Sequence, residues 1–300
     1  MRIGTRRSAL ALAQAELIAA LLGGGELIPI VTSGDRGAQG EDKSRWVHEL
    51  EQALSDGEID IAVHSAKDVP GELAEGLELI GAPARGAAED VICGASDLAQ
   101  LPAGACVGTS SIRRAGQLLA ARADLQLLAL RGNVDTRLRK LADPSEGLHA
   151  IVLARAGLQR LGRESEAGGT LDPRRFITAP GQGVLALQGR HDDQRARSAA
   201  SAITDQSTFA CLAAERALAR ELGASCHTPL GANAVAVGEG TLRLRAWVGL
   251  PDGSAWVSDE LEGAAAHADA LGRALAERMR LVGADELLGD AEEMARVAGR

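Results

Sequence analysis

Aromatic side chains are almost missing from this sequence. Its 300 residues include two Phe, three Trp and no Tyr. The core must therefore be built from Leu, Val, Ile and Ala. The same scarcity removes the stacking platforms on which single-stranded nucleic acids bind, and a formal charge of −9 repels a phosphate backbone. Cysteine is sparse: Cys93, Cys106, Cys211 and Cys226 form no C-x-x-C pair and no zinc-like spacing with His. No metal site is expected, and buried, inert thiols are the default reading. No apolar run is long enough to span a bilayer. The first strand pattern starts within two residues, which leaves no room for a secretory signal. A cytoplasmic protein without nucleic-acid or membrane partners is the expectation.

What the chain does have is a repeated local pattern: an apolar strand, a turn of Ser, Thr, Gly and Arg, then a helix. It occurs at Arg2-Ile3-Gly4-Thr5-Arg6-Arg7-Ser8, at Ile61-Ala62-Val63-His64-Ser65-Ala66-Lys67-Asp68-Val69-Pro70, at Val107-Gly108-Thr109-Ser110-Ser111-Ile112-Arg113-Arg114, and at Leu130-Arg131-Gly132-Asn133-Val134-Asp135-Thr136-Arg137. A helix N-terminus already carries partial positive charge, so cations there are mildly unfavourable. Arg113, Arg114 and Arg137 in such places point to a bound anion with several negative groups. The Gly108–Ser111 turn is neither a P-loop nor a dinucleotide fingerprint.

The alternation of strands and helices argues for α/β lobes with mostly parallel sheets. Helices are expected at Ser8–Leu22, Val47–Leu54, 111–122, 135–142, 208–222 and 264–281, the last closing the chain. Strands are expected at Leu27–Thr32, Ile59–Val63, Cys106-Val107, Leu125–Leu130, His149–Ala154 and Val184–Gln188. A meander over Val235–Val257, turning at Pro251-Asp252-Gly253, marks a smaller α+β unit. Thr178–Gly183 is a candidate hinge.

Two groups carry candidate chemistry. Lys67-Asp68 follows a buried strand, at the end that faces the ligand crevice in open parallel sheets. Asp68 there can steer or exchange protons with a cationic group, or else belong to a solvated turn. His64 reads as a hydrogen-bonded strand-end residue. Cys226 sits on the loop Gly223-Ala224-Ser225-Cys226-His227-Thr228, where a thiol can act as nucleophile or tether.

Taken together, the last three of these turns, Ala156-Gly157-Leu158-Gln159-Arg160-Leu161 and Pro180-Gly181-Gln182-Gly183 resemble the hydroxymethylbilane synthase (porphobilinogen deaminase) family, in the family's order and over essentially the whole chain. The resemblance implies a transferase of tetrapyrrole biosynthesis, the route to porphyrins and heme. Such an enzyme condenses four porphobilinogen units head to tail, releases ammonia, and builds the product on a covalent dipyrromethane cofactor. It also implies two periplasmic-binding-protein-like lobes plus the smaller domain: residues 1–83 with 184–201, then 88–177, then 206–300. Cys226 matches the cofactor-bearing cysteine, and Asp68, with Lys67, the catalytic centre. Arg6, Ser8, Ser65, Lys67, Asp68, Thr109, Ser110, Ser111, Arg113, Arg114, Arg131, Gly132, Asn133, Arg137, Arg160 and Gln182 match the cofactor-binding set. A monomer acting on porphobilinogen is implied. The sequence departs from the family pattern at Asp42-Lys43-Ser44-Arg45-Trp46, a shorter loop, at Gln188 in place of a common Glu, and at Ser33 in place of a common Arg. Two other readings compete: a non-catalytic two-lobed anion-binding module, and a different transferase or hydrolase using Cys226 on a phosphorylated substrate.

Overall fold

The computed structural model describes residues 1–32, 44–224 and 228–298. The first sheet starts at β1 (Arg2–Arg6), which runs into α1 (Ala9–Leu21). Ser8 caps this helix, its hydroxyl accepting from the Ala11 N–H at 3.3 Å. The first N–H groups of a helix have no partner within it, so a hydroxyl at that place fixes where the helix starts. α1 returns to β2 (Glu26–Ile30), parallel to β1. α2 (Ser44–Ser55) leads to β3 (Ile61–Ser65), parallel to β1 on its other side. β4 (Leu77–Gly81) lies at the far edge.

The chain then crosses to a second sheet. It enters on β5 (Asp90–Cys93), followed by β6 (Cys106–Gly108), α3 (Ile112–Ala121), β7 (Gln126–Leu128), α4 (Val134–Ala142), β8 (Ala150–Ala154), α5 (Arg155–Arg160) and β9 (Gly169–Thr170). It crosses back through residues 171–184 and enters the first sheet on β10 (Leu185–Arg190).

The two sheets have the same plan. Their strand orders are β2-β1-β3-β10-β4 and β7-β6-β8-β5-β9. In both, the first three strands are parallel and the last two pairings are antiparallel. The parallel expectation therefore holds for only half of each sheet. The reason is the route of the chain. β1 and β3 end at the crevice between the lobes, whereas β10 arrives from across it and must run away from it. β5 does the same in the second lobe. β4, β5 and β9 are missing from the sequence-based expectation.

The third unit follows α6 (Gln194–Ile203), which packs on the first sheet. α7 (Gln206–Glu221) precedes an antiparallel meander of β11 (Leu230–Gly238), β12 (Thr241–Gly249) and β13 (Trp256–Ala264). α8 (Ala268–Leu281) packs with α7 over this sheet, burying Leu218, Leu244, Leu275 and Met279 together. The chain does not close there as expected: it breaks at Val282-Gly283 and continues as α9 (Ala284–Ala298).

One carboxylate joins all three units. Glu215 of α7 is fully buried and accepts from Arg85 Nη1 at 2.6 Å, the Gly181 N–H at 2.6 Å and the Ala234 N–H at 2.7 Å. Arg85 lies on the outgoing crossover, Gly181 on the returning one, and Ala234 on β11. Arg85 Nε also donates to the Gln182 carbonyl at 2.9 Å, so the two crossovers are bound to each other. A buried charge is tolerated only when it is paired and its lone pairs are filled, and Glu215 meets both conditions.

Candidate active site

On the first lobe, the crevice is lined where β1 and β3 end. Arg6, Ser8, Gln14, His64, Ser65 and Asp68 surround a small cleft there. The Ser65 hydroxyl and the Gln14 amide are hydrogen-bonded at 2.9 Å, which ties the end of β3 to α1. After Ser65 a single 3-10 turn, Ala66–Asp68, presents Lys67 and Asp68 half-buried at the crevice. Two features hold this turn. Gly181 has φ +74°, and a Cβ added there would lie 2.9 Å from the Ala66 Cβ and 3.0 Å from the Lys67 N, so only glycine fits against it. From the other side Arg216 of α7 reaches the carbonyls that follow Asp68, with Nη1 to Val69 at 3.3 Å and Nη2 to Pro70 at 2.8 Å and Gly71 at 3.0 Å.

His64 borders this cleft but is buried and hydrogen-bonded within the protein. Burial pushes its imidazole down to about 4; a hydrogen bond to Gln188 Oε1 at 2.9 Å and the charge of Asp68 only partly offset this. The neutral ring donates from Nε2 to Gln188, whose amide donates to Glu51 at 2.8 Å. This is the strand-end role read from the sequence.

The second lobe corrects part of the expected anion site. Arg113 and Arg114 start α3, capped by Ser111, but both turn inward onto a carboxylate of the protein itself. Arg114 grips Asp90 Oδ1 through Nε at 3.1 Å and Nη2 at 2.7 Å, and Arg113 Nη1 lies 2.9 Å from Asp90 Oδ2. Burial alone would raise the Asp90 carboxyl, yet the two guanidiniums hold it well below the usual carboxylate range. The Gln182 amide nitrogen is likewise turned inward, while its Oε1 is buried without a hydrogen-bond partner among the described residues. Its amide donates to Asp90 Oδ1 at 2.8 Å and to the Ala88 carbonyl at 2.7 Å, bracing the two crossovers. Gly132 and Asn133 are also structural: Gly132 takes φ +114°, and Asn133 caps α4 by accepting from the Thr136 N–H at 2.9 Å. Asp135, in the first turn of α4, is paired with Arg163 at 2.7 Å.

What remains at the crevice is still cationic. Two guanidiniums meet one carboxylate at Asp90, leaving one positive charge over. Arg113 Nε and the Ser110 hydroxyl are buried without a hydrogen-bond partner among the described residues. The turn before α3 is shaped by Thr109, whose hydroxyl accepts from the Ser111 N–H at 3.1 Å. Arg137 on α4 donates to the Gly132 carbonyl at 2.8 Å. Burial pushes its guanidinium down to about 10, Arg114 pushes it the same way, and Asp68 on the opposite lobe pulls it back. Arg160, also pushed down to about 10 by burial, donates to the Gly183 carbonyl at 2.6 Å, and Arg131 is exposed at the start of the α4 turn. Orphaned donors and surplus positive charge fit a ligand carrying several carboxylates. Cys226, the expected tether, lies outside the described residues, as does Ser33, together with the side chains of Asp42-Lys43-Ser44-Arg45-Trp46.

Residues 1–198 match the family model "Porphobilinogen deaminase, dipyromethane cofactor binding domain", and residues 209–280 match "Porphobilinogen deaminase, C-terminal domain". The chain belongs to the porphobilinogen deaminase family. A porphobilinogen deaminase of Thermus thermophilus is 43% identical over 296 residues, covering 95% of this chain and 97% of its own. That of Chromobacterium violaceum is 43% identical over 299 residues, covering 95% and 96%. Among solved structures, a periplasmic substrate-binding protein of an ABC transporter from Coxiella burnetii is similar at a TM-score of 0.42 and 16% identity, covering 70% of this chain and 94% of that one. The family membership sets the catalytic reading above the binding module.

For a porphobilinogen deaminase, the sequence reasoning missed the residues that place the site: Asp90, Arg85, Glu215 and Arg216. Asp90 carried a signal, a charge opening the strand Asp90-Val91-Ile92-Cys93, where all four residues are buried. A carboxylate in such a strand needs an internal cation, and Arg113 and Arg114 were available. Glu215 and Arg216 carried none, because charges are common on the outward face of a helix and nothing local marks these two as buried.

Proposed function

We propose that the chain is a hydroxymethylbilane synthase that condenses four porphobilinogen units head to tail with release of ammonia, with Asp68 as its catalytic carboxylate. One observation carries the assignment to Asp68: it lines the cleft at the carboxyl end of β3 together with Arg6, Ser8 and Ser65. The dipyrromethane cofactor, bound through Cys226, supplies the pyrrole on which units are added. Arg6, Ser8, Ser65, Lys67, Thr109, Ser110, Ser111, Arg131, Arg137 and Arg160 are its candidate partners, the arginines and Lys67 offering charge to carboxylates and the hydroxyls offering hydrogen bonds. Arg113 and Arg114 contribute mainly through their unbalanced charge.

Asp68 does the work on the other side of the charge balance. Loss of ammonia from porphobilinogen leaves an electron-poor pyrrole, and a fixed carboxylate stabilises the positive charge that develops at its nitrogen. Lys67 keeps the neighbourhood attractive to the substrate's carboxylates. The division into residues 1–83 with 184–201, 88–177 and 206–300 belongs to this proposal and is supported by the separate strand membership of the three sheets. So does a cytoplasmic, monomeric state. Cys93, Cys106 and Cys211 are free thiols, which suits a reducing compartment. No helix among the described residues is long and apolar enough to cross a membrane.

Asp68→Asn tests the assignment. The variant keeps the fold and the cofactor but loses turnover by about a hundredfold or more, the usual size of one preorganised electrostatic contact. Release of hydroxymethylbilane, measured on protein verified to carry cofactor, gives the answer; wild-type turnover would remove Asp68 from the catalytic role.

A further inference from the structure

Away from the crevice, a cleft of about 520 Å³ opens between the second lobe and the third sheet. Its size is that of a small-molecule site. Phe176, Trp247 and Trp256 line it, three of the five aromatic residues in the chain. Trp247 is buried and wedged against Gly116 of α3, a Cβ on which would meet its ring at 2.9 Å. Trp256 is 51% exposed at the mouth. A sequence this poor in aromatics has placed most of them around one opening, one ring fixed by packing and one open to solvent.

The charges of the cleft are sorted as well. Its acids are already matched: Asp259 is held by Arg278 and Glu260 by Arg245, each at 2.7 Å. Arg174 and Arg175 on the second-lobe side are exposed and form no ion pair among the described residues, Arg174 acting on Glu260 through its charge alone and Arg175 being left over. The wall is therefore cationic on a chain whose net charge is −9. Aromatic faces favour flat rings, and unpaired guanidiniums favour carboxylate or sulfonate groups through paired hydrogen bonds.

We propose that this cleft is a binding site for a flat aromatic anion, one or two rings bearing a carboxylate or sulfonate, distinct from the crevice that holds Asp68. The proposal stands independently of the catalytic reading. It is tested on the holoenzyme with 8-anilinonaphthalene-1-sulfonate as probe, following both dye emission and quenching of Trp emission. Saturable binding to one site is expected. Arg174→Ser with Arg175→Ser, and separately Trp256→Leu, should each weaken it by about tenfold or more; Arg137→Ser, in the crevice, should leave it unchanged. All of the cleft changes are at exposed positions, so folding is preserved. Binding that never saturates, that is indifferent to both cleft variants, or that is lost with Arg137→Ser would overturn the proposal.

Discussion

Asp90 and His64 show how single buried groups set the properties of the crevice walls. Asp90 holds two guanidiniums in a space closed to water. Removing one partner of a buried ionic group is costly because a charge is left without compensation, by about 3–5 kcal/mol. Asp90→Asn strands two cations and should cost the protein this much. Arg113→Leu leaves a balanced Asp90–Arg114 pair, so it should cost less stability while lowering the positive charge available to a ligand. Denaturant unfolding combined with intact mass separates the two: Asp90→Asn mainly lowers stability, and Arg113→Leu mainly lowers cofactor loading. Equal stability losses would contradict the charge count.

His64 adds a dependence on pH. Its folded value of about 4 lies below the ordinary 6.5, so as pH falls through 6.5 the unfolded chain takes up a proton that the folded chain refuses. The stability contribution is therefore fully present above about 6.5 and is lost progressively down to about 4, by about 3 kcal/mol in all. Thermal melts of the wild type against His64→Gln across this window should show a flatter profile in the variant; parallel profiles would mean that His64 is not held neutral. Gln188 fits the same logic. A carboxylate at this position beside Glu51 would repel it, whereas the amide bridges His64 to Glu51.

Among the elements, α7 has the widest reach. Its consecutive residues Glu215 and Arg216 hold two different things: Glu215 the crossovers and β11, Arg216 the three carbonyls after Asp68. The third unit thereby fixes the turn that carries Asp68, the proposed catalytic carboxylate. Arg216→Met keeps the volume but drops those hydrogen bonds, and kcat should fall about tenfold in protein that still carries cofactor. Wild-type kcat in such protein would show that the turn needs no support from α7. Much of this architecture was legible in the sequence. Ser8 announces its helix because a cap is a local event, and the apolar run Ile59–Val63 announces its strand. The contacts that close the site were not legible. Arg113 and Arg114 read as open anion ligands because Asp90 is distant in sequence, and only the β5–β8 pairing brings it beneath α3. Gln182 read as a cofactor contact for the same reason, since its partners lie on the other crossover.

At the scale of the whole molecule, two lobes of one plan face each other across a crevice and are joined by two strands of chain. The first lobe brings the anion Asp68, the second the surplus cations, and the third unit braces the joint through Glu215. A substrate carrying carboxylates and a pyrrole nitrogen finds complementary charge on the two walls, although the molecule as a whole is negative. The central claim is that this crevice works around a dipyrromethane bound to Cys226. Intact mass spectrometry of active protein, followed by peptide mapping, tests it most directly. The account predicts a mass greater than that of the sequence by one dipyrromethane, located on the peptide that contains Cys226; a preparation that turns over porphobilinogen with Cys226 unmodified would contradict it.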